Sequence, residues 1–265
     1  MNLIRRKLLG TFFGFAALCA GMSQAETAQE RGLRIATAAS DRSGDYQDIT
    51  VAGEMILKTA SGQKAERRFD ASWINTGTGS SRSLLIFRWP GDIRNTALLT
   101  HVFTGKKDDQ WLFLPALERV RRISGSGRSG SFVGSEFAFE DMADQEVDKF
   151  KHTWVADQRC PSNGNCHVID RVPTTKSGYS RQRIWIDTAE LRLQQVQYFD
   201  RRGAHLKTLV ISGYRKYDGQ FWRAARMDMV NHLTGASTRL NWDGYAFNKG
   251  LQRNSFTVNA LRRIR

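Results

Sequence analysis

Apolar and polar positions alternate with a period of two along most of this chain. Ile49, Val51, Gly53, Met55 and Leu57 share one parity, with the polar Thr50 and Glu54 among the residues between them. Ser83, Leu85, Phe87 and Trp89 alternate with Leu84, Ile86 and Arg88, and the same rhythm returns through 183–187 and 206–210. Between these runs stand turn formers: Ser61-Gly62, Gly77 with Gly79, Arg202-Gly203, Asp218-Gly219 and Thr234-Gly235. Side chains on a strand point alternately to opposite faces, so period two separated by turns predicts short strands in a mostly antiparallel sheet, a barrel or a sandwich. Two segments break the rhythm. Residues 26–42, rich in Ala, Glu and Arg, predict a helix that ends near Ser43-Gly44. Trp111-Leu112-Phe113-Leu114 is continuously apolar, which predicts a strand covered on both faces.

The first 25 residues read as an address. Arg5, Arg6 and Lys7 form a positive start, Leu8 to Ala20 a short apolar core, and Ser23-Gln24-Ala25 a small-residue cleavage site. Cleavage after Ala25 is expected, which leaves residues 26–265 as one domain. Cys19 follows Leu18, a poor setting for lipid attachment. No later segment has the roughly 18 apolar residues of a membrane-spanning helix, so an exported, periplasmic protein is expected. An outer-membrane barrel also alternates. Charges on both faces of strands, as in Glu66-Arg67-Arg68, and the ending Leu261-Arg262-Arg263-Ile264-Arg265 argue against it.

Charge changes the list of partners rather than the fold. The net charge of +14 falls to +11 once Arg5, Arg6 and Lys7 are removed. An exported basic protein meets anionic membrane surfaces rather than nucleic acid. The two cysteines beyond Cys19, Cys160 and Cys166, flank Pro161, Asn163 and Gly164, and a chain reversing there brings the thiols within disulfide reach. That pair alone, without a paired histidine, makes a poor zinc site.

Catalytic chemistry is not signalled. The histidines, His101, His152, His167, His205 and His232, lack metal-ligand spacing, and there is no G-x-S-x-G elbow. The Asp108-Asp109 and Glu140-Asp141 pairs are adjacent, so on strands their members face opposite sides. No catalytic residue, metal or cofactor is expected, and the chain is not expected to be an enzyme.

The segment 108–141 carries the binding candidates. The apolar run from Trp111 is followed by Arg119, Arg121 and Arg122, then by a Gly/Ser loop holding Arg128 and Phe132, then by Phe137, Phe139, Glu140 and Asp141. Apolar surface beside cations and a mobile loop suits an amphipathic anion. The four arginines could meet a headgroup, or they could be a solvated edge that blunts sheet aggregation. Phe132 could gate a cavity or pack down locally. The tryptophans could be core or cavity lining. Phe87, Trp89, Trp111, Phe113, Phe132, Phe137, Phe139 and Trp185 are the candidate lining residues.

Several of these residues also resemble a known family. The signature is Ser83-Leu84-Leu85-Ile86-Phe87, Pro90, Thr96-Ala97-Leu98-Leu99, Asp109 to Leu117 with Arg119 to Ile123, and Ser131 to Phe137 with Glu140-Asp141. It resembles the outer membrane lipoprotein-sorting-like proteins, relatives of the LolA and LolB carriers, most strongly over 83–142. Asn95 stands where the pattern has Gly, and the loop around 125–129 is slightly long. The resemblance implies a mainly β fold: a strongly curved, half-open antiparallel β-barrel with helices as a lid and an apolar concave face. It implies binding of lipid or of acylated lipoprotein without chemistry on them. The expected function is therefore a periplasmic carrier or chaperone serving a membrane exporter. The alternative is an envelope lipid sensor that uses the same cavity and does not transport.

Overall fold

The computed structural model describes residues 25–42, 44–77 and 79–264. Apart from Ala25, the segment expected to be a signal peptide lies outside the described residues. Helix α1 (Ala28–Arg42) matches the predicted helix. Its start is fixed by a reciprocal cap: the Glu30 amide donates to Thr27 Oγ1 (3.2 Å), and the Thr27 amide donates to the Glu30 carboxylate (2.8 Å).

Strands follow. They are β1 (Asp48–Lys58), β2 (Lys64–Gly77), β3 (Ser80–Trp89), β4 (Ala97–Val102), β5 (Asp109–Leu114) and β6 (Arg119–Ile123). A strap without strands, 124–149, leads to β7 (Phe150–Arg159), β8 (Asn165–Pro173), β9 (Tyr179–Asp187), β10 (Leu193–Asp200) and β11 (His205–Ser212). A small hairpin, β12 (Arg215–Tyr217) and β13 (Phe221–Arg223), precedes β14 (Arg226–Asn231), β15 (Ser237–Phe247) and the short helix α2 (Val258–Leu261).

Thirteen strands form one antiparallel sheet in the order β6-β5-β4-β3-β2-β1-β15-β14-β11-β10-β9-β8-β7. The sheet does not close: β6 and β7 are its two edges, and the strap runs from one to the other. Ile123 near one edge and Ile169 near the other belong to a single buried cluster, so the sheet curls into a half-open barrel. Register pairs such as Met55 with Leu240 and Gly53 with Trp242 put the apolar parity of β1 and β15 on the concave side. Gly53 is required there, because a Cβ would lie 2.2 Å from the Phe69 ring.

Both faces are covered at β4 and β5, as the continuous apolar run predicts. Leu98 and Leu112 join the concave core, while Ala97, Leu99 and Phe113 pack on the outer side against Phe256 and Leu261 of the C-terminal segment. The predicted turns hold. At the β12–β13 hairpin Asp218 and Gly219 both take positive φ (47° and 69°), the backbone of a tight hairpin turn. Asn95, standing where the family pattern has Gly, adopts φ 65°, a left-handed conformation that Asn tolerates better than most residues.

Cys160 and Cys166 are bonded and pack with Val168 and Trp185 on the outer face. The bond spans a sequence separation of only six residues, so it removes little unfolded-state entropy. Replacing both cysteines by Ser is expected to lower stability by about 2 kcal/mol, measured by chemical denaturation. A loss above about 4 kcal/mol would show that the bridge holds more than its own loop.

Candidate functional site

The concave side is filled at one end and hollow at the other. The filled end belongs to the strap. Phe132, Phe137 and Phe139 enter the barrel core, where Phe132 stacks on Phe87 (5.9 Å between centroids) and meets Phe139 edge-on (5.5 Å). Arg67 of β2 donates to the Val133 carbonyl (2.5 Å). Val133 itself sits at φ 45°, a conformation that a β-branched residue avoids and that the surrounding contacts must hold. Lys207 of β11 donates to the Glu136 carbonyl (2.8 Å) and to Asp141 (2.7 Å).

The hollow end lies between α1, residues 144–147, the β12–β13 hairpin and the sheet. A cavity of ≈ 510 Å³ runs from Ala36 and Ala39 of α1 to Ile184 and Ile186 of β9. An adjoining cavity of ≈ 300 Å³ is walled by Trp73, Met227, Trp242 and Tyr245. Tyr46, Asp144, Tyr214 and Trp222 border both. Together they fall in the size range of small-molecule sites; the smaller is mainly aromatic and apolar, while the larger mixes apolar side chains with about as many polar and charged ones.

An ionic clamp holds the wall together. Arg42 of α1 pairs with Glu190 (2.8 Å), which also accepts from Trp222 Nε1 (3.1 Å). Arg192 pairs with Asp187 (2.9 Å) and lies 4.6 Å from the Trp222 ring. Deeper in, Arg171 and His152 face each other across β8 and β7. Burial lowers the Arg171 pKa to about 10 and pushes His152 below its ordinary value. In the same cavity lining, burial pushes Asp144 and Glu146 upward, although Ser81 donates a short hydrogen bond to Asp144. Burial also raises the Tyr46 hydroxyl to about 12.

These positions differ from those expected of several sequence candidates. Phe87, Phe132, Phe137 and Phe139 are brought together on the concave side, but as packed core beneath the strap. Phe132 is 0% exposed, packed down into the core rather than standing at the surface. Trp111 and Phe113 have the opposite parity to Leu112 and face the outer side, where Trp111 packs at the margin of the cluster holding Phe256. Trp185 likewise faces outward, beside the disulfide. Trp89 ends β3 and is 48% exposed, with Arg68 over its ring (5.6 Å).

The four arginines do not converge. Arg119 and Arg121 are exposed on edge strand β6, paired in register with Leu114 and Leu112. Arg122 points to the other face and pairs with Asp109. Arg128 pairs with the buried Asp108 (3.2 Å), which Lys149 also contacts (2.6 Å). Sequence reasoning missed Arg171, His152, Tyr46, Tyr214 and Trp222. The available signal was parity: Arg171 shares the concave side with Ile169, so a charge interrupts an apolar face there.

The relatives fit this architecture. A family model described only as an uncharacterized protein matches residues 79–263. A provisionally named outer membrane lipoprotein-sorting protein domain from Vibrio parahaemolyticus is 40% identical, with a TM-score of 0.86, over 89% of this chain and 100% of that one. The chain belongs to the outer membrane lipoprotein-sorting-like family. A DUF1329 family protein from Desulfovibrio piger is 26% identical, TM-score 0.84, over 89% of this chain and 99% of that one. A LolA superfamily protein from Nitrosomonas europaea, 17% identical with a TM-score of 0.69 over 86% of this chain and 98% of that one, shares the fold. No curated protein matches the sequence. This member of the lipoprotein-sorting-like family thus has the LolA-like half-open barrel, with α1 and the strap over its concave side.

Proposed function

We propose that this protein is a periplasmic carrier that shields the acyl part of a lipid or lipidated protein in the hollow end of the barrel, without chemistry on it. The observation that carries the reading is the pair of adjoining cavities, walled by Tyr46, Trp73, Tyr214, Trp222, Trp242 and Tyr245. Hiding an acyl chain from water is worth about 0.8 kcal/mol per CH₂, and aromatic walls closed by α1 supply the apolar surface. A passenger of this kind would be handed on by a membrane exporter. Arg119 and Arg121, exposed on the edge strand, would favour encounter with an anionic membrane surface. Residues 1–25 would direct export and be removed, leaving 26–265 as a single domain.

Native mass spectrometry of protein purified from the periplasm is expected to show a co-purifying lipid, and fluorescent lipid is expected to pass from donor to acceptor vesicles in its presence. Binding without transfer would overturn the carrier reading. Ala39→Trp, which fills the larger cavity from α1, is expected to reduce co-purifying lipid several-fold at a cost in stability of about 1–3 kcal/mol. Unchanged lipid content in that variant would place the acyl chain elsewhere.

A further inference from the structure

We propose that Arg171 receives the phosphate oxygens of the bound amphiphile in the larger cavity, so that the headgroup enters the barrel and is not left at the basic edge strand. This assignment rests on the carrier reading and names the chemistry of its passenger.

Arg171 is 6% exposed and makes no direct ion pair among the described residues, the carboxylate that acts on it from a distance being Asp141. Its neighbours in the wall are satisfied otherwise, Arg42 by Glu190 and Arg192 by Asp187. Of the five guanidinium N–H groups of Arg171, only Nε–H has a protein acceptor among the described residues, Gln182 Oε1 at 2.8 Å. The plane rests on the Phe150 ring at 4.5 Å. Gln182 and Phe150 therefore fix the orientation of the fork and leave its outer donors to the cavity that Arg171 lines.

His152, the cross-strand partner, is 5% exposed and lines the same cavity. Its Nε2–H donates to the Val147 carbonyl (3.0 Å), so Nδ1 of the neutral ring is a buried acceptor without a partner and takes no part in holding the phosphate. Buried cations are held by counter-ions, because desolvation of an unpaired charge is costly. A guanidinium oriented by its neighbours, with its outer donors facing a cavity, is the geometry that takes a phosphate through two parallel hydrogen bonds. At a pKa of about 10 the group stays cationic near neutral pH. Asp144 and Glu146 also line this cavity, and burial raises both carboxyls. The adjoining aromatic cavity lies where the acyl part would continue.

The test is calorimetric titration of the full chain with dihexanoylphosphatidic acid, with neutral dihexanoylglycerol and with inorganic phosphate. The unaltered protein is expected to bind the phosphatidic acid at least about tenfold tighter than the neutral glyceride. Arg171→Gln is expected to abolish that preference and keep the affinity for the glyceride. Arg171→Lys, which retains the charge but loses the fork, is expected to keep only part of it. If Arg171→Gln loses its native circular dichroism spectrum, the Lys variant is judged by the same ratio. A preference unchanged by substitution overturns the assignment of Arg171. Inorganic phosphate binding as tightly as the phosphatidic acid overturns the lipid source and leaves a free-anion site. Failure of the unaltered protein to bind either lipid overturns the carrier reading itself, a result distinct from the other two.

Discussion

Phe132→Ala is expected to lower the free energy of unfolding by about 3–5 kcal/mol, read by denaturant titration with an unchanged denaturant dependence. Phe132 belongs to a strap without strands, and an aromatic exposed on such a segment would cost within about 0.5 kcal/mol to truncate. The packing makes the difference. The ring is 0% exposed and fills the barrel between Phe87 and Phe139. The backbone around it is held by Phe132 N to Phe137 O (2.7 Å) and by Ser135 Oγ to Phe132 O (2.7 Å), so the strap cannot easily collapse into the space left behind. The truncated side chain leaves a void, and its lining loses contacts outright. A loss below about 1 kcal/mol would show that the strap is loosely seated and that Phe132 opens as a gate.

The contrast between Phe132 and Phe113 shows how much of this molecule could be read from its sequence. Period two fixes which residues share a face, and the turn formers fix where strands end; β1, β3, β9 and β11 therefore fall where alternation put them. Parity alone does not say which face is concave. Trp111, Phe113 and Trp185 are as apolar as any cavity lining, but they cover the outside of the sheet because the C-terminal segment and the disulfide loop pack there. Those partners lie far away in sequence, 143 positions in the case of Phe113 and Phe256. The strap presents the same difficulty. Its Gly/Ser composition is that of a mobile surface loop, and its burial follows from its joining the two edge strands, β6 and β7, across the open side. The family signature over 83–142 conveyed the barrel because it reflects that whole topology. The site depends on α1, β8, β9 and the β12–β13 hairpin, which lie outside the signature. Arg171 was visible only as a charge on an apolar parity.

Lys207→Met is expected to cost about 3–5 kcal/mol, because it breaks one side of a buried ion pair and leaves the other side buried. The side chains of Lys207 and Asp141 are 5% and 4% exposed. Lys207 Nζ reaches Asp141 (2.7 Å) and the Glu136 carbonyl (2.8 Å), and it lies about equally close to the Tyr179 and Tyr198 rings, at 5.2 and 5.0 Å. Asp141 in turn accepts from the Ala138 amide (2.7 Å) and the Tyr179 hydroxyl (3.0 Å). The pair thus ties the strap to β11 and β9 from beneath. A Met at 207 fills similar length but gives Asp141 no counter-charge, and two neutral donors only partly offset the desolvated carboxylate. Asp141→Asn removes that charge, so the double variant is expected to lose less than the sum of the single losses, with a coupling of at least about 1 kcal/mol. Additive losses in a double-mutant cycle would mean that water reaches the pair and that the strap is anchored by its phenylalanines alone.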